Sequence, residues 1–326
     1  MKAIVYDRYG STAGMRLVDV VAPAPAEGEV LVRIEACSVN ASDVELLRGR
    51  PLYARMWGLF RPRIRVLGSD IAGTVEAVGA DVTRFEPGDE VFGDVFGHWG
   101  GFAEHVCVPA DKLVAMPTGL SFAQAAALPQ AGAIALQGIR QKGRVRPGQQ
   151  VLINGAGGGA GTFAVQVAKL AGAEVTAVDS APKLGALQSL GADHVIDYAR
   201  EDFTRTGGHY DLILDLVATR SVVACRRALA DTGTYLLVGG SMAAILGTLV
   251  LGKVLSKQGA KRSTILAIKQ STEDLTSLAE MVIADEIQPV IDQELPLEKA
   301  AEALDAIGAG EAIGKIVVVP TPLPKT

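Results

Sequence analysis

Apolar positions recur with three different rhythms along the chain. Over residues 1–120 they come in short runs rich in β-branched residues: Met1–Tyr6, Glu29–Ala36, Gly73–Val78 and Ala103–Pro109. Glu29-Val30-Leu31-Val32-Arg33-Ile34-Glu35-Ala36 alternates with period two, which predicts a strand with one buried and one wet face. Pro23, Pro25, Pro87-Gly88-Asp89 and Pro117 interrupt the runs, so this zone is expected to form an antiparallel barrel or sandwich. Over residues 121–270 short apolar runs alternate with helical patterns: Val151-Leu152-Ile153, Glu174–Val178, His194-Val195-Ile196, Asp211–Leu216 and Tyr235–Val238. That alternation predicts βαβ units and a parallel sheet covered on both faces. Over residues 271–326 the pattern predicts a helix at Thr272–Ala284, a short strand at Pro289–Asp292, a second helix at Leu297–Ile307 and a closing strand at Gly314–Val319.

Composition narrows the class without changing the elements. Of 326 residues, 49% are hydrophobic and 21% charged, enough apolar material for two folded domains. The formal net charge of -5 leaves no basic surplus for phosphate backbones, so nucleic acid is not an expected partner. Cys37, Cys107 and Cys225 show no metal-binding spacing and read as reduced, buried thiols of a cytoplasmic protein. The apolar stretch Met242–Leu251 is shorter than the about 20 residues a bilayer span needs, so no membrane span is expected. Ile245, Leu246, Leu249, Val250 and Val254 fall at helical spacing there, compatible with a substrate mouth, a subunit contact or plain core.

The chemistry starts at Asn154-Gly155-Ala156-Gly157-Gly158-Gly159-Ala160-Gly161, between a predicted strand and a predicted helix. Residues with little or no side chain let a pyrophosphate reach backbone N–H groups at a helix N-terminus. Two registers fit: Gly155, Gly157 and Ala160, or Ala156, Gly158 and Gly161. About 20 residues on, Asp179 ends the next strand, where an acid accepts from the adenosine ribose and repels a 2′-phosphate. Ser180 and Lys183 follow and are able to hold that phosphate, so NAD and NADP both stay open. Gly239, after Tyr235–Val238, completes the expected cofactor set with Ala156–Gly161, Asp179, Ser180 and Lys183.

With these residues go Val39-Asn40-Ala41-Ser42-Asp43, Gly68-Ser69-Asp70-Ile71-Ala72-Gly73, Pro87-Gly88-Asp89-Glu90-Val91, Gly100-Gly101-Phe102-Ala103-Glu104, Leu190-Gly191-Ala192-Asp193 and Gly314-Lys315. Together they resemble the medium-chain dehydrogenase/reductase superfamily, in its zinc-independent quinone oxidoreductase branch. The resemblance implies an α/β fold: a doubly wound Rossmann sheet (121–270) inserted in a GroES-like, mostly antiparallel β domain (1–120 and 271–326). It also implies a homodimer through the edge of the cofactor sheet. At the zinc-ligand positions of related alcohol dehydrogenases this chain has Asn40, Ser69 and Gln130, all poor ligands beside thiolate and imidazole.

Without a Lewis acid nothing stabilises the alkoxide of a simple alcohol, whereas a quinone or α,β-unsaturated carbonyl spreads the developing charge. The expected activity is therefore NAD(P)H-dependent reduction of a small lipophilic quinone or enone, with enoyl-thioester reduction and non-catalytic redox sensing as the alternatives. Asn40 and Tyr53 are the catalytic candidates. Asn40 and Gln130 are expected near the nicotinamide, and no metal is expected. Asp43 reads as a cap. Arg48, Arg50, Arg55, Arg61, Arg63 and Arg65, around Tyr53, Met56, Trp57 and Phe60, read as a flap or a solvated loop.

Overall fold

The computed structural model of the chain describes residues 1–256 and 260–320. It forms two compact units. One holds Met1–Gln130, Gln270–Asp285 and the described part of 289–326; the other holds Ala131–Lys269 and Glu286–Gln288. The first segment runs ten residues past the boundary expected at 120. The helix Phe122–Ala127 explains this, because it packs on the strands Glu29–Ser38, Asp70–Val78 and Lys315–Val319. The return of 286–288 to the second unit rests on Gln166, whose amide oxygen accepts from Gln288 N and whose Nε2 donates to Gln288 O.

In the first unit the central strand is Glu29–Ser38, with Val30, Val32, Ile34 and Ala36 buried as the alternation requires. The sheet runs Ile291–Pro296, Lys315–Val319, Glu29–Ser38, Asp70–Val78, Glu90–Asp94 and Leu113–Ala115, and His105–Pro109 also pairs with Glu29–Ser38. Every pairing is antiparallel except that of Ile291–Pro296 with Lys315–Val319. The expected strand at Pro289–Asp292 thus starts later and runs longer. Because the closing strand Lys315–Val319 pairs beside Glu29–Ser38, it carries Lys315 into the core below Asn40.

In the second unit six parallel strands lie in the order His194–Asp197, Glu174–Asp179, Gln150–Asn154, Tyr210–Asp215, Leu229–Leu237 and Arg262–Ile265. The strand order reverses beside Gln150–Asn154, so a crevice is expected at the carboxyl ends of that strand and Tyr210–Asp215. Val151, Leu152 and Ile153 are fully buried, as are Ile213 and Leu214, which accounts for their continuous apolar runs. Helix Met242–Ser256 covers the last strand on one side. Gly252 passes so close that an added Cβ would lie 2.9 Å from Ser263 O.

Candidate active site

The turn after Gln150–Asn154 is built by absent side chains. Gly155 has φ +84° and starts the bend, and Gly158 caps the helix Gly159–Leu170. A Cβ on Gly161 would lie 2.3 Å from Gly155 O and 2.4 Å from Ala156 O, so only glycine lets the helix back onto the turn. That is the role of the last glycine in a dinucleotide fingerprint, and it selects the register Ala156, Gly158, Gly161. The amides of Gly159, Ala160 and Gly161 stand at the helix head, where no intrahelical acceptor exists, and Gly159 and Ala160 are half-buried. These are the donors open to a pyrophosphate.

Gly157 does something else. Its N–H donates to Asp179 Oδ2 at 2.8 Å, so it is not one of the phosphate donors expected from the sequence. Asp179 Oδ1 accepts from Ser180 N at 2.8 Å, and Lys183 Nζ lies 3.8 Å from the same oxygen. The carboxylate is thereby fixed at the strand end. Lys183 is buried and paired with it rather than presented to solvent. Gly239, at φ +71° past the end of Leu229–Leu237, has open space where a Cβ would stand.

The second constellation lies in the first unit, where four segments converge. Asn40 precedes the helix Ala41–Arg48, Ser69 and Asp70 lead into the strand Asp70–Val78, Gln130 sits in the helix Pro129–Leu136, and Lys315 opens the closing strand. Gln130 Nε2 donates to Ser69 Oγ at 2.7 Å, Ser42 Oγ donates to Gln130 Oε1 at 3.0 Å, and Gln130 N donates to Asp70 Oδ2 at 3.1 Å. Lys315 Nζ donates to Asn40 Oδ1 at 2.5 Å and lies 3.6 Å from Asp70 Oδ2. Asp43 accepts from Asn40 N at 2.8 Å and from Gly68 N at 2.9 Å, so it ties the helix start to the Ser69 strand.

All these charges are out of water. Burial pushes the Asp43 carboxyl up to about 7, against the pull of its two backbone donors. Burial also raises Asp70, opposed chiefly by Lys315, and raises Asp94, with the charge of Asp70 adding to it. Burial lowers Lys315, opposed by the Asp70 and Asp43 charges. The Asp70 carboxylate 3.6 Å away supplies the opposite charge that a buried ammonium at Lys315 needs.

Tyr53 lies in the 3-10 helix Leu52–Trp57, and its hydroxyl donates to Glu45 Oε2 at 2.8 Å. Its proton is therefore held by a carboxylate, and burial followed by that hydrogen bond raises the phenol above its ordinary range. As placed, Tyr53 is a partnered group rather than a ready acid. The basic run is likewise committed in part: Arg65 pairs with Asp7 at 2.6 Å and Arg55 lies over the Tyr9 ring. Trp57 packs edge-on to Phe96 and Trp99, with ring centroids 5.5 and 6.2 Å away. Of the cysteines, Cys37 and Cys225 are buried as expected, while Cys107 is only half-buried.

Comparison with known proteins gives the family. The family "Alcohol dehydrogenase GroES-like domain" matches residues 26–118, and "Zinc-binding dehydrogenase" matches residues 190–318. The chloroplastic quinone-oxidoreductase QR1 of Triphysaria versicolor is 33% identical over 98% of both chains. The 2-methylene-furan-3-one reductase of Solanum lycopersicum is 32% identical over 99% of this chain and 80% of its own. The structure of the quinone oxidoreductase from Coxiella burnetii superposes with a TM-score of 0.90 at 30% identity, covering 98% of this chain and 99% of that one. The chain belongs to the medium-chain dehydrogenase/reductase superfamily, in its zinc-independent quinone oxidoreductase branch.

Within this superfamily member, two sets of residues escaped the reading of candidate site side chains. Lys315 and Asp70 were visible only as motif letters, because a lone Lys beside a strand carries no sign that it will be buried. Asp215 is the other: it is fully buried, and its carboxylate accepts from Asn154 Nδ2 at 2.8 Å and Tyr235 OH at 2.9 Å, locking the carboxyl ends of three neighbouring strands. Its one signal was an acid closing an otherwise apolar run.

Two outcomes are expected. Folded Asp43 holds its proton to about pH 7, far above an unfolded aspartate, so the folded state binds the extra proton between about pH 4 and 7. Its contribution to stability accordingly falls as pH rises through that window. Calorimetric melting at several pH values should show a smaller decline in Asp43→Asn than in the wild type, and parallel profiles would refute it. Gly158→Asp should abolish dinucleotide binding in calorimetric titration, since a carboxylate at the helix cap repels the pyrophosphate; retained affinity would mean the fingerprint is misplaced.

Proposed function

We propose that this protein is a zinc-free, NAD(P)H-dependent oxidoreductase that reduces quinones or α,β-unsaturated carbonyls by hydride transfer. The observation that carries this is the amide cluster at the positions where related alcohol dehydrogenases hold zinc. Asn40 Oδ1 is taken up by Lys315 and Gln130 Oε1 by Ser42, so neither amide oxygen is free to ligate a metal. Amide and hydroxyl side chains at these positions supply no Lewis acid for an alkoxide, whereas a quinone or enone spreads its developing charge by conjugation. The relatives named as quinone and 2-methylene-furan-3-one reductases support the same substrate class. Oxidation of NADH or NADPH by simple quinones and enones, followed spectrophotometrically, tests it. Measurable cofactor binding without turnover of any acceptor would defeat the enzymatic reading.

NADH is the preferred donor in this reading. The Asp179 carboxylate is held by the amides of Gly157 and Ser180 at the point where an adenosine ribose is expected. It accepts from ribose hydroxyls and repels a 2′-phosphate, while the nearby Lys183 is already paired with it. NADH should bind more tightly than NADPH. Asp179→Ser should narrow the ratio of their dissociation constants by about tenfold, or about 1.4 kcal/mol. An unchanged ratio would remove Asp179 as the discriminator.

The same reading includes a homodimer. The helix Met242–Ser256 leaves Leu246, Leu249, Val250 and Val254 each more than half exposed. Among the described residues, the strand Arg262–Ile265 next to it stands at the end of the sheet with one neighbouring strand. An apolar helix face beside an open strand edge fits a second copy of the chain. Light scattering should show a dimer for the wild type and a monomer for Val250→Asp, and a monomeric wild type would refute the interface.

A further inference from the structure

We propose that residues 50–63 form a peripheral docking loop for anionic lipid surfaces. Leu59 and Phe60 enter the acyl boundary, and Arg50, Arg61 and Arg63 meet the headgroup phosphates. The docking is measured without turnover, so it stands or falls apart from the reading of the reaction.

The arginine run lies in an acid-free stretch: between Glu45 and Asp70 there are six arginines and no Asp or Glu. Two of the six are taken up by the protein itself. Arg65 pairs with Asp7, and Arg55 lies over the Tyr9 ring and donates to Gly49 O. Arg50, Arg61 and Arg63 are exposed, and among the described residues no acid pairs with them. In a chain of net charge -5 this is a local reversal of sign.

The apolar residues of the same segment also face outward. In a 3-10 helix residues three apart share a face. In Leu52–Trp57 the buried Ala54 therefore shares one with Trp57, which packs on Phe96 and Trp99. Leu52 and Met56 flank the outer side and are 65% and 76% exposed. The chain then turns at Gly58, where φ is +140° and Arg61 O leaves no room for a Cβ. Trp57 O accepts from Arg63 N at 2.9 Å and Gly58 O accepts from Tyr9 OH, so the base of the turn is held. Its tip carries Leu59, more than half exposed, and Phe60, 87% exposed. One exposed apolar side chain is ordinary, but four from one short segment mark a contact surface.

Charge and shape choose the occupant. A side chain as exposed as Phe60 projects clear of the protein rather than lining a groove. It suits a medium that opens around it, with no matching cavity required. Arginines beside an apolar tip match a bilayer whose headgroups are anionic, because they stay at phosphate level while the tip inserts. The described residues contain no helix long and apolar enough to cross a membrane, and the loop needs none, since it contacts one leaflet.

Cosedimentation of the full chain with phosphatidylcholine vesicles, with and without phosphatidylglycerol, tests this. The wild type should bind the anionic vesicles about tenfold or more tightly than the neutral ones, and should come off as salt rises. Arg61→Gln with Arg63→Gln should weaken anionic binding about 20-fold, as expected for two cations at a charged surface. Leu59→Ser with Phe60→Ser should weaken it about tenfold. All four side chains are exposed, so both variants should melt like the wild type, and either one decides the matter if the other does not fold. No binding by the wild type, or equal binding to the two kinds of vesicle, overturns the proposal. So does full binding by the arginine variant. Full binding by the Leu59→Ser, Phe60→Ser variant would mean that charge acts alone, as toward an acidic protein, and overturns the lipid assignment.

Discussion

A charge taken out of water must be met inside the protein, and in this chain that constraint organises the first unit. Lys315, Asp43, Asp70 and Asp94 are all buried, on segments far apart in sequence. Asp43 is met by two backbone amides, and Asp70 by Lys315 and the amide of Gln130. The contacts of Asp43 with Gly68 and of Asp70 with Lys315 and Gln130 fix the relative placement of segments that the apolar core alone would leave free to slide. A sheet filled with Val, Ile and Leu specifies which face is inside. It does not say at what height Asn40 stands relative to Ser69, and the polar ties do.

The cofactor unit solves a related problem with backbone rather than charge. Its phosphate donors are amides at a helix head, and the missing Cβ of Gly161 brings that head onto the turn. By accepting from Gly157 and Ser180, Asp179 braces the turn, so an exchange at this position loosens it.

Elements with long periodic patterns were legible from the residues. The alternation at Glu29–Ala36 and the buried runs before and after the glycine turn gave strands where strands stand. Boundaries failed where tertiary packing outweighed local pattern. Phe122–Ala127 carries alanines that say helix but not to which unit it belongs, and its packing on the GroES-like sheet assigns it. The fingerprint was readable but ambiguous in register, since five of its seven residues from Gly155 are glycines, and only the contact of Gly161 with the turn resolves it. Tyr53 read as a catalytic candidate, yet nothing in the sequence said that Glu45 would claim its proton.

At the positions where related alcohol dehydrogenases bind zinc, this chain builds a hydrogen-bonded network. Zinc-binding side chains converge on one point, and their geometry is held by the metal itself. The side chains of Asn40, Ser69 and Gln130 are ordered by hydrogen-bond partners. Gln130 is held at both ends of its amide by serines, whereas Asn40 is held strongly at one end, by a cation. Both amides are thus parts of one buried network, which also meets the charge of Lys315.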